Sequence, residues 1–352
     1  MGKRATMVDI ADKAGVSQAT VSLVLNNAPN VRVSEETRKR VKAFASELGY
    51  RKGPAHALLA SSARVIGLMI DEVTTTPFAA PLIEGARDEA AQHDCIVATF
   101  CTGGDPELEA AALEVLSSLR LVGILYSTLI TQTVKPPARL MQIPSILLNC
   151  RDKSRQLPSV VPADLTGAYE ATMRLAQAGH RRIAHIPGER WGDAALDRVK
   201  GYREALASND VVFDPALVSD PAWTVDSGRA ATLSLLGLPD PPTAFFCFND
   251  RAAIGCYEAL HVKGLSVPQD VSVIGFDDED LVAHLLPPLT TMVLPHDEMA
   301  RWAVNELIRL EGKAWPPAHP RRVKTECALV ERQSVGSAPE LKRGSIGLHQ
   351  KL

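Results

Sequence analysis

Apolar positions recur along this chain in two rhythms, and the rhythm changes near residue 64. Before that point the spacing is helical. Residues 6–14 carry Val8, Ile10, Ala11 and Ala14 on one predicted helix. Thr6 caps it, and Asp9 stands three residues on, where a capping box needs an acceptor. Gly15 allows a tight turn. Ser17 is a good N-cap for a second helix, SQATVSLVLNN, whose Val21, Val24 and Leu25 fall at i, i+3 and i+4. Gln18, Ala19, Ser22 and Asn26 lie off that stripe. Ser34 caps a third predicted helix, SEETRKRVKAFASELGY, with Val41, Ala45 and Leu48 completing a small core and Gly49 as its stop.

From residue 64 onward, short apolar runs alternate with amphipathic stretches. RVIGLMI, CIVATFC, LVGILYS and IPSILLNC read as strands, with PFAAPLIEGARDEAAQHD and PELEAAALEVLSSLR as helices between them. A second series follows. TGAYEATMRLAQAGH, LDRVKGYREALASND and DRAAIGCYEALHVKG are its helices; RIAHIPG, TAFFCFND and DVSVIGFDD are its strands. Alternating strands and helices imply parallel sheets covered by helices, so the fold class is α/β. Two series imply two Rossmann-like lobes with a cleft between them, and ligands of such folds sit beyond the carboxyl ends of the strands. The polar residues there are Asp71 and Glu72, Asn149 and Arg151, Asn249 and Asp250, and Asp277 and Asp278. Each pair also reads as a turn or a helix cap, Asp250 above all.

Charge separates the two parts. The 352 residues carry 38 Lys+Arg and 41 Asp+Glu, a net −3. Residues 1–52 hold ten Lys/Arg and five Asp/Glu, or +5, so the other 300 carry 28 − 36 = −8. A basic head on an acidic body implies an anionic partner for the head alone. The six cysteines have neither CxxC spacing nor a nearby histidine cluster, and they read as reduced, mostly buried apolar residues. Neither a cofactor nor a metal is implied. Nucleophile-elbow, HExxH and P-loop motifs are lacking, and His185, His284 and His296 read as surface or satisfied residues, so enzymatic activity is not expected. The N-terminus lacks the apolar core of a signal peptide, and no stretch is long enough to span a membrane, which places the chain in the cytoplasm.

Helix, glycine turn, helix and bracing helix is a helix-turn-helix arrangement, whose second helix presents N-terminal residues to base edges in the major groove. A three-helix bundle with a solvated face fits the same pattern. TMVDIADKAGVSQATVSLVLNN followed by VSEETRKRVKAFASELGYR resembles the headpiece of lactose-repressor-type (LacI/GalR) bacterial transcription regulators. AGHRRIAHI, PPTAFFCFNDRAAIG, VPQDVSVIGFDD and PPLTTM resemble the same family's effector domain, which is similar to periplasmic sugar-binding proteins. The likeness runs to about residue 333. It implies base reading by Gln18 and Ala19, with Leu23 at a position where relatives carry a polar reader. Leu can only touch a thymine methyl. Thr6, Ser17, Thr20, Ser22, Asn26 and Ser34 are the candidates for phosphate contacts, which position without specifying.

The resemblance also divides the chain. Residues 1–50 form the headpiece and 51–63 a hinge. Residues 64–333 form a two-lobed effector-binding and dimerisation body, and 334–352 a disordered tail without heptads. The hinge holds AHALLA, too short to be helical alone. Leu59 falls where the family's hinge leucine enters the minor groove and kinks the duplex. Asp71, Phe78, Asn149, Arg151, Arg198, Trp223, Asn249 and Asp277 fall at effector-contacting places. Acceptors, donors and a flat apolar ring suit a polyol, so a carbohydrate effector is expected; a purine or a phosphorylated metabolite also fits Arg198. The expected partners are double-stranded operator DNA, a small-molecule effector and a second copy in a homodimer, in the nucleoid, with no membrane. Two other readings stay open: a sugar-binding protein without DNA-linked regulation, and a structural DNA-binding protein with a relic cleft. A mobility shift on an operator-like palindrome, with and without sugars, separates them.

Overall fold

Three short helices with one shared apolar side open the computed structural model, which describes residues 6–25, 33–48, 63–73 and 79–339. They lie in a small unit within residues 1–64; a large unit begins at Val65. Helix α1 (Met7–Ala14) carries the capping box, in which Thr6 N donates to Asp9 Oδ2 (2.7 Å) and Thr6 Oγ1 accepts from Asp9 N (3.3 Å). Gly15 ends it at φ +63°, in the left-handed region that glycine enters without a Cβ penalty. Helices α2 (Gln18–Leu25) and α3 (Glu35–Glu47) follow. Ile10, Ala11, Ala14, Val21, Val24, Val41 and Ala45 form the core. Val8 is not part of it; it is half exposed. Period 3.6 selects Met7, Ile10, Ala11 and Ala14 as one stripe, and Val8 lies off it. Asn26, the hinge with Leu59, and Phe78 lie outside the described residues.

Among the described residues the large unit has two main sheets and one two-stranded pair. Strands β1 (Arg64–Ile70), β2 (Cys95–Cys101), β3 (Leu121–Val134), β4 (Ser145–Asp152) and β5 (Ser159–Pro162) belong to the first lobe. Strand β3 runs well past the predicted LVGILYS, with its register broken between Ser127 and Gln132. Helices α4 (Ala79–Gln92) and α5 (Pro106–Ser117) connect these strands. In the second lobe, β6 (Ile183–Ile186), β7 (Ala244–Cys247) and β8 (Ser272–Ile274) form a parallel sheet in that order. Helices α6 (Asp164–Gln177) and α7 (Asp193–Ser208) pack against one face of it, α8 (Val225–Leu236) and α9 (Asp250–Val262) against the other. Strand alternation sends Phe245 to the second pair and Phe246 to the first. Each helix pair crosses at a glycine. A Cβ on Gly201 would stand 2.1 Å from Leu165 O, and one on Gly255 2.0 Å from Val225 O.

The first lobe is finished by the end of the chain. After the short β9 (Thr291–Met292), helix α10 (His296–Leu310) returns to it, and β10 (Arg322–Thr325) pairs with β5, giving the order β10-β5-β4-β3-β1-β2. Met299, Ala300, Ala303, Val304 and Leu307 of α10 share a core with Ala79, Leu82, Ala86 and Ala90 of α4. Strand β11 (Leu329–Val330) then pairs with β9. The chain thus passes between lobes three times, and the passages are tied together: Ala163 N donates to Thr325 O and Val293 N to Ala328 O, both at 2.8 Å. The predicted tail does not begin at residue 334. Ser334 is fully buried, with Oγ donating to Val273 O (2.6 Å) and accepting from Thr290 N (2.8 Å), and Ala338 N donates to Ala178 O. Residues 340–352 lie outside the described part.

Candidate functional site

In the small unit the start of α2 is the chemically equipped surface. Ser17 Oγ accepts from Thr20 N (3.1 Å) and meets the Thr20 hydroxyl at 2.9 Å, which closes the first turn. Gln18 and Ala19 stand exposed there, Leu23 is exposed one turn on, and Ser22 is half-buried. The Thr6 and Ser34 hydroxyls act as helix caps, Ser34 Oγ accepting from Thr37 N at 3.2 Å. At each of the three helix starts the cap hydroxyl accepts one first-turn N–H, from Asp9, Thr20 and Thr37.

In the large unit the lobes meet across a cleft whose inner cavity is about 20 Å³. That is room for about one water, whereas small-molecule pockets run to roughly 300–1,000 Å³. Leu129, Thr131 and Asn149 of the first lobe, Arg198, Trp223, Phe248 and Asp277 of the second, and Leu294 line it. Arg198 is its centre. The guanidinium is buried, donates from Nε to Asp164 Oδ1 (2.8 Å) and from Nη1 to the Phe248 carbonyl, and lies 3.9 Å from Asp277. It also sits over the rings of Phe276 (3.5 Å) and Phe248 (4.5 Å), a flat cation between two π faces. Burial pushes the carboxyls of Asp164 and Asp277 above the usual range, and the nearby Arg198 only partly opposes it. Asp277 holds φ +122° and Asp278 φ +59°, so the backbone itself bends these carboxylates around the strand end. A second cavity of about 450 Å³ shares Asp277 and Leu294 with the first and adds an acidic wall of Glu84, Asp278, Glu279 and Asp280.

The cleft brings together some of the predicted residues. Arg198, Trp223, Asn149 and Asp277 line it, with the Trp223 ring 5.4 Å from Phe248. Asn149 has its amide engaged, donating to Thr128 O and Leu129 O and accepting from Thr131 Oγ1 (2.6 Å). Asn249, not Asp250, is the N-cap of α9; its Oδ1 accepts from Ala252 N, and its Nδ2 donates to Trp223 O, which places that residue. Asp71 lines neither cavity. Its Oδ1 accepts from Leu129 N and Glu72 N, both at 2.8 Å, so it braces the break in β3. Arg151 also stands outside both, bridging the lobes to Asp197 at 3.2 Å, beside a second bridge from Thr133 Oγ1 to Asp193 (2.7 Å). Sequence reasoning missed Asp164 and Phe248. Asp164 follows SVVP, a strand too short to stand out, although the rule of a polar residue past each strand end would have found it. Asp250 is fully buried and forms no ion pair among the described residues; its Oδ1 accepts from Thr291 Oγ1 (2.6 Å) and its Oδ2 from Glu279 N (2.9 Å). His185 is buried too, stacked on Tyr202 and Phe246, and burial holds it neutral with its pKa down at about 4. Of the cysteines, Cys101 alone is exposed. Among the described residues no helix is long and apolar enough to cross a membrane.

A helix-turn-helix unit followed by a two-lobed ligand-cleft body defines a class of regulator in which one part holds DNA and the other a small molecule. Residues 6–52 match the model of bacterial regulatory proteins of the lacI family, and residues 172–335 match that of the periplasmic binding protein-like domain. The ribose operon repressor of Haemophilus influenzae is 32% identical over 95% of this chain and 99% of its own. Among solved structures, a LacI-family regulator from Rhizobium etli aligns with a TM-score of 0.70 at 31% identity, covering 77% of this chain and 99% of that one. The transcriptional regulator CelR in complex with cellobiose aligns at 0.64 and 29% identity, over 94% of this chain and 100% of that one. The chain belongs to the LacI family, as a DNA-binding transcriptional repressor. The homologues are repressors, not enzymes.

Proposed function

We propose that this repressor binds a near-palindromic operator as a homodimer, in the cytoplasm, and that a neutral carbohydrate between its lobes sets its operator affinity. The headpiece spans residues 1–50, the hinge 51–63, and the body runs from 64 to at least Ala338. The Arg198 clamp carries the reading: a buried guanidinium, two carboxylates and an aromatic wall converge on a cavity between two hinged lobes. Neutral ligands are favoured over acids because Arg198 already faces Asp164 and Asp277, and the outer cavity is acidic. An anion brought there meets repulsion in a low-dielectric site. Hydroxyls suit it, since the carboxylates accept, the guanidinium donates, and Trp223 offers a flat face to ring C–H groups. The solved CelR relative holds a disaccharide. At about 20 Å³ the inner cavity admits a sugar only when the lobes part, so binding is coupled to lobe movement.

The test is a mobility shift on a palindromic operator together with Trp223 emission, across neutral sugars, sugar acids and sugar phosphates. Neutral sugars alone are expected to alter both. A response to acids and not to neutral sugars sinks the assignment.

For the head, Gln18, Ala19 and Leu23 face the bases, while Thr6, Ser17, Thr20, Ser22, Asn26 and Ser34 hold phosphates and Leu59 wedges the minor groove. Gln18→Ala is expected to cost ~1–3 kcal/mol at one base pair per half-site, read by titrating single-base operator variants. Equal losses on every sequence mean that Gln18 touches only the backbone.

A further inference from the structure

On the far edge of the first lobe a groove of about 450 Å³ gathers Arg151, Lys153, Arg155, Arg322 and Lys324 against a single acid, Asp152. Register puts them there. Arg322 pairs with Ser159 and Lys324 with Val161 across β10 and β5, so both side chains rise from one face of the sheet, over a floor of Ser159 and Val161. The other cations come from the end of β4 and the turn that follows. Asp152 forms no ion pair with them among the described residues; its carboxylate is turned into that turn, accepting from Ser154 Oγ and from Gln156 N (3.0 Å), and one negative charge leaves the groove strongly cationic. Arg155 holds φ +56°, a strained conformation for a residue with a Cβ, and its carbonyl accepts from Arg322 Nη2 at 3.4 Å. Among the described residues Arg151 alone of the five forms an ion pair, and its Nε is buried with no hydrogen-bond acceptor.

Five cations crowded into one groove repel each other, and the body around them is acidic by eight charges. Folding gains nothing from that arrangement; an anionic ligand does. The groove's size is that of a small-molecule site, and guanidinium forks beside ammonium groups suit phosphate oxygens. We propose that this groove is a second ligand site, distinct from the interlobe cleft, for a small polyphosphate or a metabolite carrying several phosphate groups. The site is joined to lobe movement by two of its own residues. Thr133 and Arg151 line the groove and also make the two bridges to Asp193 and Asp197. A phosphate in the groove competes with Asp197 for Arg151 and loosens the closed body.

The experiment is calorimetric titration of the full-length protein with inorganic tripolyphosphate at fixed ionic strength, beside Arg322→Gln/Lys324→Gln and Asp197→Asn. Those groove side chains are exposed, and circular dichroism checks the fold. Saturable binding is expected, at least tenfold weaker in the groove variant and several-fold tighter in Asp197→Asn, where the competitor is gone. Absence of saturable binding, or binding undiminished in the groove variant, overturns the site. An unchanged affinity in Asp197→Asn overturns the competition. Loss of non-operator duplex binding in place of tripolyphosphate binding makes the groove a DNA-backbone surface and overturns the proposal as well.

Discussion

Arg198→Ala is expected to destabilise the large unit by about 3–5 kcal/mol at neutral pH, the range for removing one partner of a buried ion pair. The loss exceeds that of a ligand contact because Asp164 is fully buried and takes its salt bridge from this guanidinium, while Asp277 faces the same charge. Two aromatic rings lose their cation as well. The penalty should shrink in acid. Burial already raises the carboxyls of Asp164 and Asp277, and without Arg198 they rise further, so lowering the pH favours their neutral forms and relieves the stranded charges. Urea unfolding at pH 5 and pH 7.5 measures this. A midpoint close to the parent's at both values would mean that the clamp carries no stability. Arg198→Lys keeps the charge but loses the planar stack and the fork, and should fall between.

The second large effect is a pH dependence centred on Asp250. Burial, helped by the charges of Glu279 and Asp278, pushes its pKa up to about 7 despite the donors Thr291 and Glu279 N. A carboxyl raised in the folded state favours folding when protonated. Its contribution is complete below the unfolded value near 4 and is lost as pH rises through about 7. Three pH units at about 1.4 kcal/mol each give a swing on the order of 4 kcal/mol. Glu279 and Asp277 are raised too and act in the same direction. The buried His180 and His185 are lowered and act in the opposite one, weakening the fold as pH drops below about 6.5. The difference between Asp250→Asn and the parent reports this carboxyl together with the part of the Asp277 shift that its charge causes. The amide mimics the protonated acid, with its oxygen toward Glu279 N and its nitrogen toward a reversed Thr291 hydroxyl. Its stability relative to the parent should climb by a few kcal/mol from pH 5 to pH 8; a flat difference refutes the assignment.

What the chain revealed beforehand follows the range of each interaction. The Thr6–Asp9 box spans three residues and was readable letter by letter, as were the Val21–Val24 stripe and the long apolar strands. Strand β5 and helix α8 were passed over: SVVP is too short to signal a strand, and the Thr224 cap lies in a stretch without strong periodicity. In the cleft, Asp277 was marked by its place past a strand end and Arg198 by resemblance. The partner that fixes Arg198 was not, because Asp164 lies 34 residues away and only the packing of α6 on α7 joins them. Arg151 looked like a pocket residue from its place past a strand end; its actual neighbour, Asp197, comes from a helix of the other lobe.

The return of α10 and β10 to the first lobe sets an order of events during synthesis. The second lobe is nearly an insertion, its sheet and four helices lying within residues 164–274, whereas the first lobe has its core in pieces about 200 residues apart. A ribosome adding ~5–20 residues per second leaves the early strands without α10 for roughly ten seconds or more. During that interval the apolar side of α4 and the free edge of β5 have no cover from their own chain. The N-terminal lobe therefore waits for residues 296–325, and a message truncated just after residue 274 yields the second lobe's sheet and four helices, still lacking Ser334 and Ala338, joined to an unfinished first lobe.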